Sequence, residues 1–190
     1  MEPVNHIAFK EWAVVCAALA SGQQSLILRK GGIHEGLDGF RVAHPEFWLF
    51  PTGFHQEPVS VVQGAQPLLK EVLNQQPPGD VIHIQHYVEV EEVIELHDES
   101  RLAGLNPFHI LSEKTVHARF HYKNPGLFVM LVRVHQLPAH ITIAASPHFD
   151  GCRSWVDFPI AIPTAGLNPA LSDEAHVERM TRLRMLLASN

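Results

Sequence analysis

The stretch from Arg29 to Gln56 constrains this chain most. An apolar run, Leu26-Ile27-Leu28, leads into Arg29-Lys30 and stops at Gly31-Gly32. An aromatic run, Phe47-Trp48-Leu49-Phe50, stops at Pro51-Thr52-Gly53. Short apolar runs bounded by glycine and proline read as buried strands. Each therefore ends in a turn beside polar or charged groups, so the sheet presents a site at its end. Between them, residues 34–45 hold Gly36, Asp38, Gly39 and Pro45 and read as a loop.

The flanking segments fill in a sheet with helices around it. Residues 13–19 are apolar on both faces, and Ser21-Gly22-Gln23-Gln24 is a turn signal before the run at 25–28. The pair reads as a hairpin covered on both sides, with residues 9–12 as a lead-in. From 58 to 76, Val61, Val62, Ala65, Leu68, Leu69, Val72 and Leu73 recur at helical spacing. Pro67 either kinks this helix or begins a shorter one. Residues 81–90 alternate as a strand, with His83, Gln85, Tyr87 and Glu89 on one face. Residues 116–122 alternate too, with His117, Arg119 and His121 on one face, and predict another strand. Lys123-Asn124-Pro125-Gly126 is the loop into an apolar strand at 127–134, which Gln136-Leu137-Pro138 ends. A short strand is expected at 141–145, and 147–169 is turn-rich. Ser172 caps a closing amphipathic helix, about 172–188, whose stripe is Val177, Met180, Leu183 and Leu187.

The chain has 190 residues, 46% of them hydrophobic, enough for one compact domain over 1–190 with its core at about 8–160. The predicted class is α/β (α+β), a mixed sheet flanked by helices. No apolar run is long enough to span a membrane, and the N-terminal residues lack a secretory pattern. Cys16 and Cys152 form neither a disulfide framework nor a zinc pair by spacing. A cytoplasmic protein is expected. A net charge of −6 argues against a generic polyanion binder, yet local cations can still grip phosphate. Fourteen histidines include no His-Glu-x-x-His pair, and no metal centre is assigned. His34-Glu35 with His55 is the set weighed as metal ligands.

The order of elements resembles the Nudix fold, through Leu26-Ile27-Leu28-Arg29 and Trp48-Leu49-Phe50-Pro51-Thr52-Gly53. That resemblance implies metal-dependent hydrolysis from a carboxylate-rich helix after the glycine turn. Aligned from Gly53, however, the box positions for its glutamates and arginine hold Val59, Pro67-Leu68 and Glu71-Val72, and its last glycine is Asn74. A single carboxylate, Glu71, does not assemble the usual magnesium cluster. A closer resemblance is to a bacterial family known only as a domain of unknown function. It rests on Lys10-Glu11-Trp12-Ala13, Leu28-Arg29-Lys30-Gly31-Gly32-Ile33, Glu35, Phe47-Trp48-Leu49-Phe50-Pro51-Thr52, His55-Gln56, Pro125-Gly126-Leu127, Leu137-Pro138 and Gly151-Cys152-Arg153-Ser154-Trp155-Val156. Some members seen beside restriction-endonuclease-like domains imply a role around nucleic acids.

The residues themselves suggest a polar groove. Arg29, Lys30, Gly31 and Gly32 would enter it from the sheet end, glycine letting backbone N–H groups approach an anion. Thr52 and Gly53, ahead of a helix, would offer its N-terminus. Gln56, Arg119 and Arg133 would complete the ligand-binding set. The first reading is a binding module for a phosphorylated small molecule, a nucleotide or a nucleic-acid end. The second is a hydrolase with Glu35 and His55 catalytic, Glu89 or Glu71 assisting, and Mg²⁺ or Mn²⁺ required. The third is a homo-oligomeric scaffold. Cys152 beside Arg153 is weighed as a nucleophile and set aside for want of a base.

Overall fold

A computed structural model describes residues 1–30, 43–53, 56–151 and 153–188. In its sheet, β1 (Val4–Trp12) pairs in parallel with β3 (Glu46–Thr52) and antiparallel with the edge strand β6 (Trp155–Pro163). Outward from β3 come β4 (Val81–Leu96), β5 (Leu127–Ala144) and β2 (Leu26–Arg29), each antiparallel to its neighbour. The order is β2-β5-β4-β3-β1-β6, and β7 (Asn168–Pro169) also pairs with β5. The mixed α/β sheet expected from the sequence is present. Alternate residues of β3 feed two cores: Phe47 and Leu49 pack on one side, and Trp48 and Phe50 on the other. Helices cover the first core. The second is closed by Phe149, Phe158 and Ile162.

Two expected strands are helices. Residues 13–19 lie in α1 (Ala13–Ala20), which buries Val14, Val15, Cys16, Ala18 and Leu19. A short run apolar on every face carries no period, so packing rather than pattern decides its form. Gly22 ends it at φ +70°, and a Cβ there would stand 2.5 Å from Leu171 Cδ2. Residues 116–122 lie largely in α4 (Glu113–His121), where Val116 and Phe120 are buried one turn apart. Ser112 is its cap, the Oγ accepting from Thr115 N at 3.3 Å. Alternation over so few residues also satisfies an i, i+4 stripe, and the cap resolves which period holds. Two elements on which the Nudix-like order rested are thus not strands.

Elsewhere the corrections are smaller. Pro67 sits in the first turn of α2 (Gln66–Asn74), after short 3₁₀ turns at Pro58–Ser60 and Gln63–Ala65. β5 runs through Pro138 to Ala144, because the β4–β5 register shifts there and spares the proline a ladder bond. That shift also breaks the alternation of β4: Tyr87 is fully buried against Trp48, with ring centroids 4.8 Å apart. Its hydroxyl donates to Glu46 Oε2 at 2.7 Å and accepts from Asn5 Nδ2 at 3.0 Å. β6 was missed within the turn-rich 147–169; as an edge strand it tolerates Pro159 and Pro163. Beyond α3 (Leu102–Leu105), the last element is α5 (Asp173–Ala188). His176 is buried in its stripe, and Val177 is 62% exposed.

His109 is 5% exposed, and neither ring nitrogen has a hydrogen-bond partner among the described residues. Burial, with the Arg119 charge adding to it, pushes its pKa down to about 4, and burial does the same to His86. Both stay neutral in the fold while the unfolded chain takes up protons below the ordinary value of 6.5. Stability is therefore full above that value and falls as pH drops toward 4, by up to about 3 kcal/mol per histidine. His109→Leu should remove about half of the loss. Denaturation midpoints measured from neutral to acid pH test this, and an unchanged slope in the variant contradicts it.

Candidate functional site

Glu11, at the end of β1, is 2% exposed, so its carboxylate needs partners. Oε1 accepts from Trp12 N at 2.8 Å and lies 4.0 Å from Arg119 Nη2. Oε2 lies 3.5 Å from Arg29 Nη1. The Glu11 carbonyl accepts from Thr52 Oγ1 on neighbouring β3 at 3.1 Å. Arg29 also donates to Ser154 Oγ at 2.7 Å and stacks over Phe9, 4.7 Å from the ring centre. Arg119 donates to Leu28 O at 2.8 Å and lies 4.6 Å over Trp12. Burial holds the Arg119 guanidinium below its usual pKa; Glu11 opposes that and Arg29 adds to it. One carboxylate thus fixes two arginines from separate elements.

These groups lie on a cleft of about 1030 Å³. Lys10 lines it, donating to Gly151 O at 3.0 Å and to Phe149 O. His83 and His140 stack at 3.8 Å between ring centroids on another wall, beside the neutral His86. Trp12, Phe50 and Phe149 supply aromatic surface. The described lining holds four cations, Lys10, Arg29, Arg119 and Arg153, against two carboxylates, Glu11 and Asp150. With neutral histidines that is 4 − 2 = +2, in a chain of net −6. Trp12, Ala13, Cys16 and Ala17 place the N-terminal end of α1 on the same cleft.

The expected site residues divide. Arg29, Thr52, Gly53 and Arg119 share the cleft. Lys30 does not line it: its ammonium donates to Phe120 O at 3.1 Å, Gly126 O at 2.8 Å and Asn124 O, clasping the end of α4. Gln56 bridges within the fold, accepting from Val14 N at 2.9 Å and donating to Thr52 O at 2.7 Å. Arg133 pairs with Asp173 at the start of α5, away from the cleft lining. Among the described residues, the next helical turn after Gly53 is Pro58–Ser60; the helix end at the cleft belongs to α1, and Gly53 faces Gln76, whose Nε2 would lie 2.6 Å from an added Cβ. Glu89 pairs with His135 at 2.6 Å, and Glu71 accepts from Gln75 at 3.2 Å; neither lines the cleft. Gly31, Gly32, His34, Glu35, His55 and Cys152 lie outside the described residues. Lys10, Glu11 and Arg153 were missed as site residues. The signal for Glu11 was its place in phase with Phe9, since a charge on the inner face of a strand demands a partner.

A family model described as a domain of unknown function (DUF1802) matches residues 8–182. The chain belongs to this family. The matched stretch takes in Glu11, Arg29, Arg119 and the whole described cleft lining. No curated protein matches. Among solved structures, the chain is similar to ASCH from Zymomonas mobilis, with 12% identity over 92% of this chain and 93% of that one, at a TM-score of 0.45. A tyrosine-to-phenylalanine mutant of ZmASCH gives 13% identity, 93% and 96% coverage, and a TM-score of 0.44. Among the described residues, no helix is long and apolar enough to cross a membrane.

Removing Glu11 leaves two arginines packed together without their counter-ion. Glu11→Ala should cost about 3 kcal/mol or more. Glu11→Gln keeps an acceptor for Trp12 N and should lose less. Urea denaturation of both variants measures this, and equal stability of Glu11→Ala and wild type contradicts the role.

Proposed function

We propose that this chain is a binding module for a phosphorylated ligand bearing a planar base, that is, a nucleotide or a nucleic-acid end. The observation that carries the reading is the charge reversal at the cleft, +2 by the described lining in a chain of −6. Steering an anion to one locus of an acidic protein needs such a local excess of cations. Arg29 and Arg119 suit the task because they are already held over aromatic rings, which lowers the entropy of ordering them around a phosphate. The N-terminal end of α1 adds partial positive charge. The stacked His83 and His140, with Trp12 and Phe50, offer flat faces for a base. A cleft of this volume accommodates a nucleotide.

The work is done by fixed donors, without turnover. Thermal shift and calorimetry with pyrophosphate, a nucleotide panel and a 5′-phosphorylated oligonucleotide, all without divalent ions, test it. Stabilisation by at least one of them is expected, weakening as salt rises. Arg153→Ala, at an exposed position, should weaken binding roughly tenfold, the loss of one charge-assisted contact. Silence across the panel, or release of phosphate from a bound ligand, would overturn the reading.

A further inference from the structure

Away from the cleft, three side chains meet around one point. Glu99 stands in a 3₁₀ turn (Glu99–Arg101) just after β4, and His117 and His121 lie one turn apart on α4. Glu99 Oε1 is 2.7 Å from His117 Nδ1 and 2.8 Å from His121 Nε2. One ligand atom from each residue lies within 4.8 Å of the other two. Ligands about 2 Å from a tetrahedral zinc are separated by roughly 3.3 Å, so small side-chain rotations would suffice. We propose that Glu99, His117 and His121 bind a divalent transition-metal ion of the zinc class, leaving a coordination position to water.

The surroundings fit that chemistry. The other ring nitrogen of His117, Nε2, faces Glu113 Oε1 at 3.7 Å. A carboxylate behind a ligating imidazole fixes its tautomer and raises its basicity, as in many metal sites. The Glu99 turn is itself held, since Asp98 accepts from Ser100 N at 2.9 Å. The Ser112 cap and the Lys30 clasp fix the two ends of α4. Two imidazoles and one carboxylate favour zinc, nickel or copper over magnesium and calcium, which prefer all-oxygen sites. The side chains are 38–50% exposed, so an ion can reach them and keep a water. Arg119 lies between the two histidines in sequence, on the cleft side of the same helix. Metal at Glu99 therefore ties the helix that carries a cleft arginine to the end of β4.

Titration calorimetry with zinc alone on the full chain tests this, with a competing chelator to suppress weak sites. One equivalent should bind, and magnesium should not compete. His121→Ala and Glu99→Gln should each weaken zinc tenfold or more, and Glu113→Gln by a smaller factor. His6→Ala, at an exposed histidine elsewhere, should leave it unchanged. Circular dichroism checks that each variant is folded. X-ray absorption of the wild-type zinc complex needs no variant and should show two imidazoles with oxygen. The proposal is overturned if no equivalent binds, if binding survives both ligand substitutions, or if the absorption lacks imidazole.

Discussion

The site end of this fold depends on one buried carboxylate. Glu11 is nearly sealed from water, and an ion in that position persists only when opposite charge and hydrogen-bond donors surround it. Arg29 reaches it from β2, Arg119 from α4, and the neighbouring Trp12 N–H from the last residue of β1. Thr52 binds the same residue through its backbone. Elements far apart in sequence are thus held in one arrangement by a charge that none of them can abandon without leaving it unpaired. Two cations for one anion leave a surplus, and that surplus faces the cleft.

The sheet decides where this happens. β1 and β3 run parallel, so Trp12 and Thr52 lie side by side at their ends. Parallel strands need a crossover, and α1 follows β1 at that same end. The Trp12 and Val14 amides, at the junction of β1 and α1, therefore arrive where Glu11 and Gln56 accept from them. Buried acceptors, strand ends and a helix N-terminus coincide as a consequence of topology. The same logic separates the two sides of α4. A strand would have set His117, Arg119 and His121 on one face, whereas a helix sends Arg119 to the cleft and the histidines to Glu99.

Much of the fold was legible. The apolar runs at 26–28 and 47–50, the alternation at 81–90 and the capped helix after Ser172 are strong local patterns, and each became the expected element. Misreadings fell where two periods agree over a short window, as at 116–122, or where no period exists, as at 13–19. They fell also where prolines hide an edge strand, as in β6. In the site, Arg29, Thr52, Gly53 and Arg119 were marked and do share a cleft. Lys30 and Arg133 were marked for the same reason, positive charge near a turn or on a strand. Charge alone does not say whether a cation meets a ligand, a helix end or an aspartate.

By itself the sequence determined the class of fold, because hydrophobic period and turn residues act over a few neighbours and need nothing distant. It also determined that two cations and two glycines follow one strand and a Pro-Thr-Gly turn follows another. Only the tertiary structure decided which of those groups share a cavity, since that depends on strand order and on where the chain turns from β1 into α1. It alone decided that Glu11 is the partner they require. Pairing energy between buried charges depends on distance through space, and residues 11, 29 and 119 become neighbours only once the sheet has closed around them.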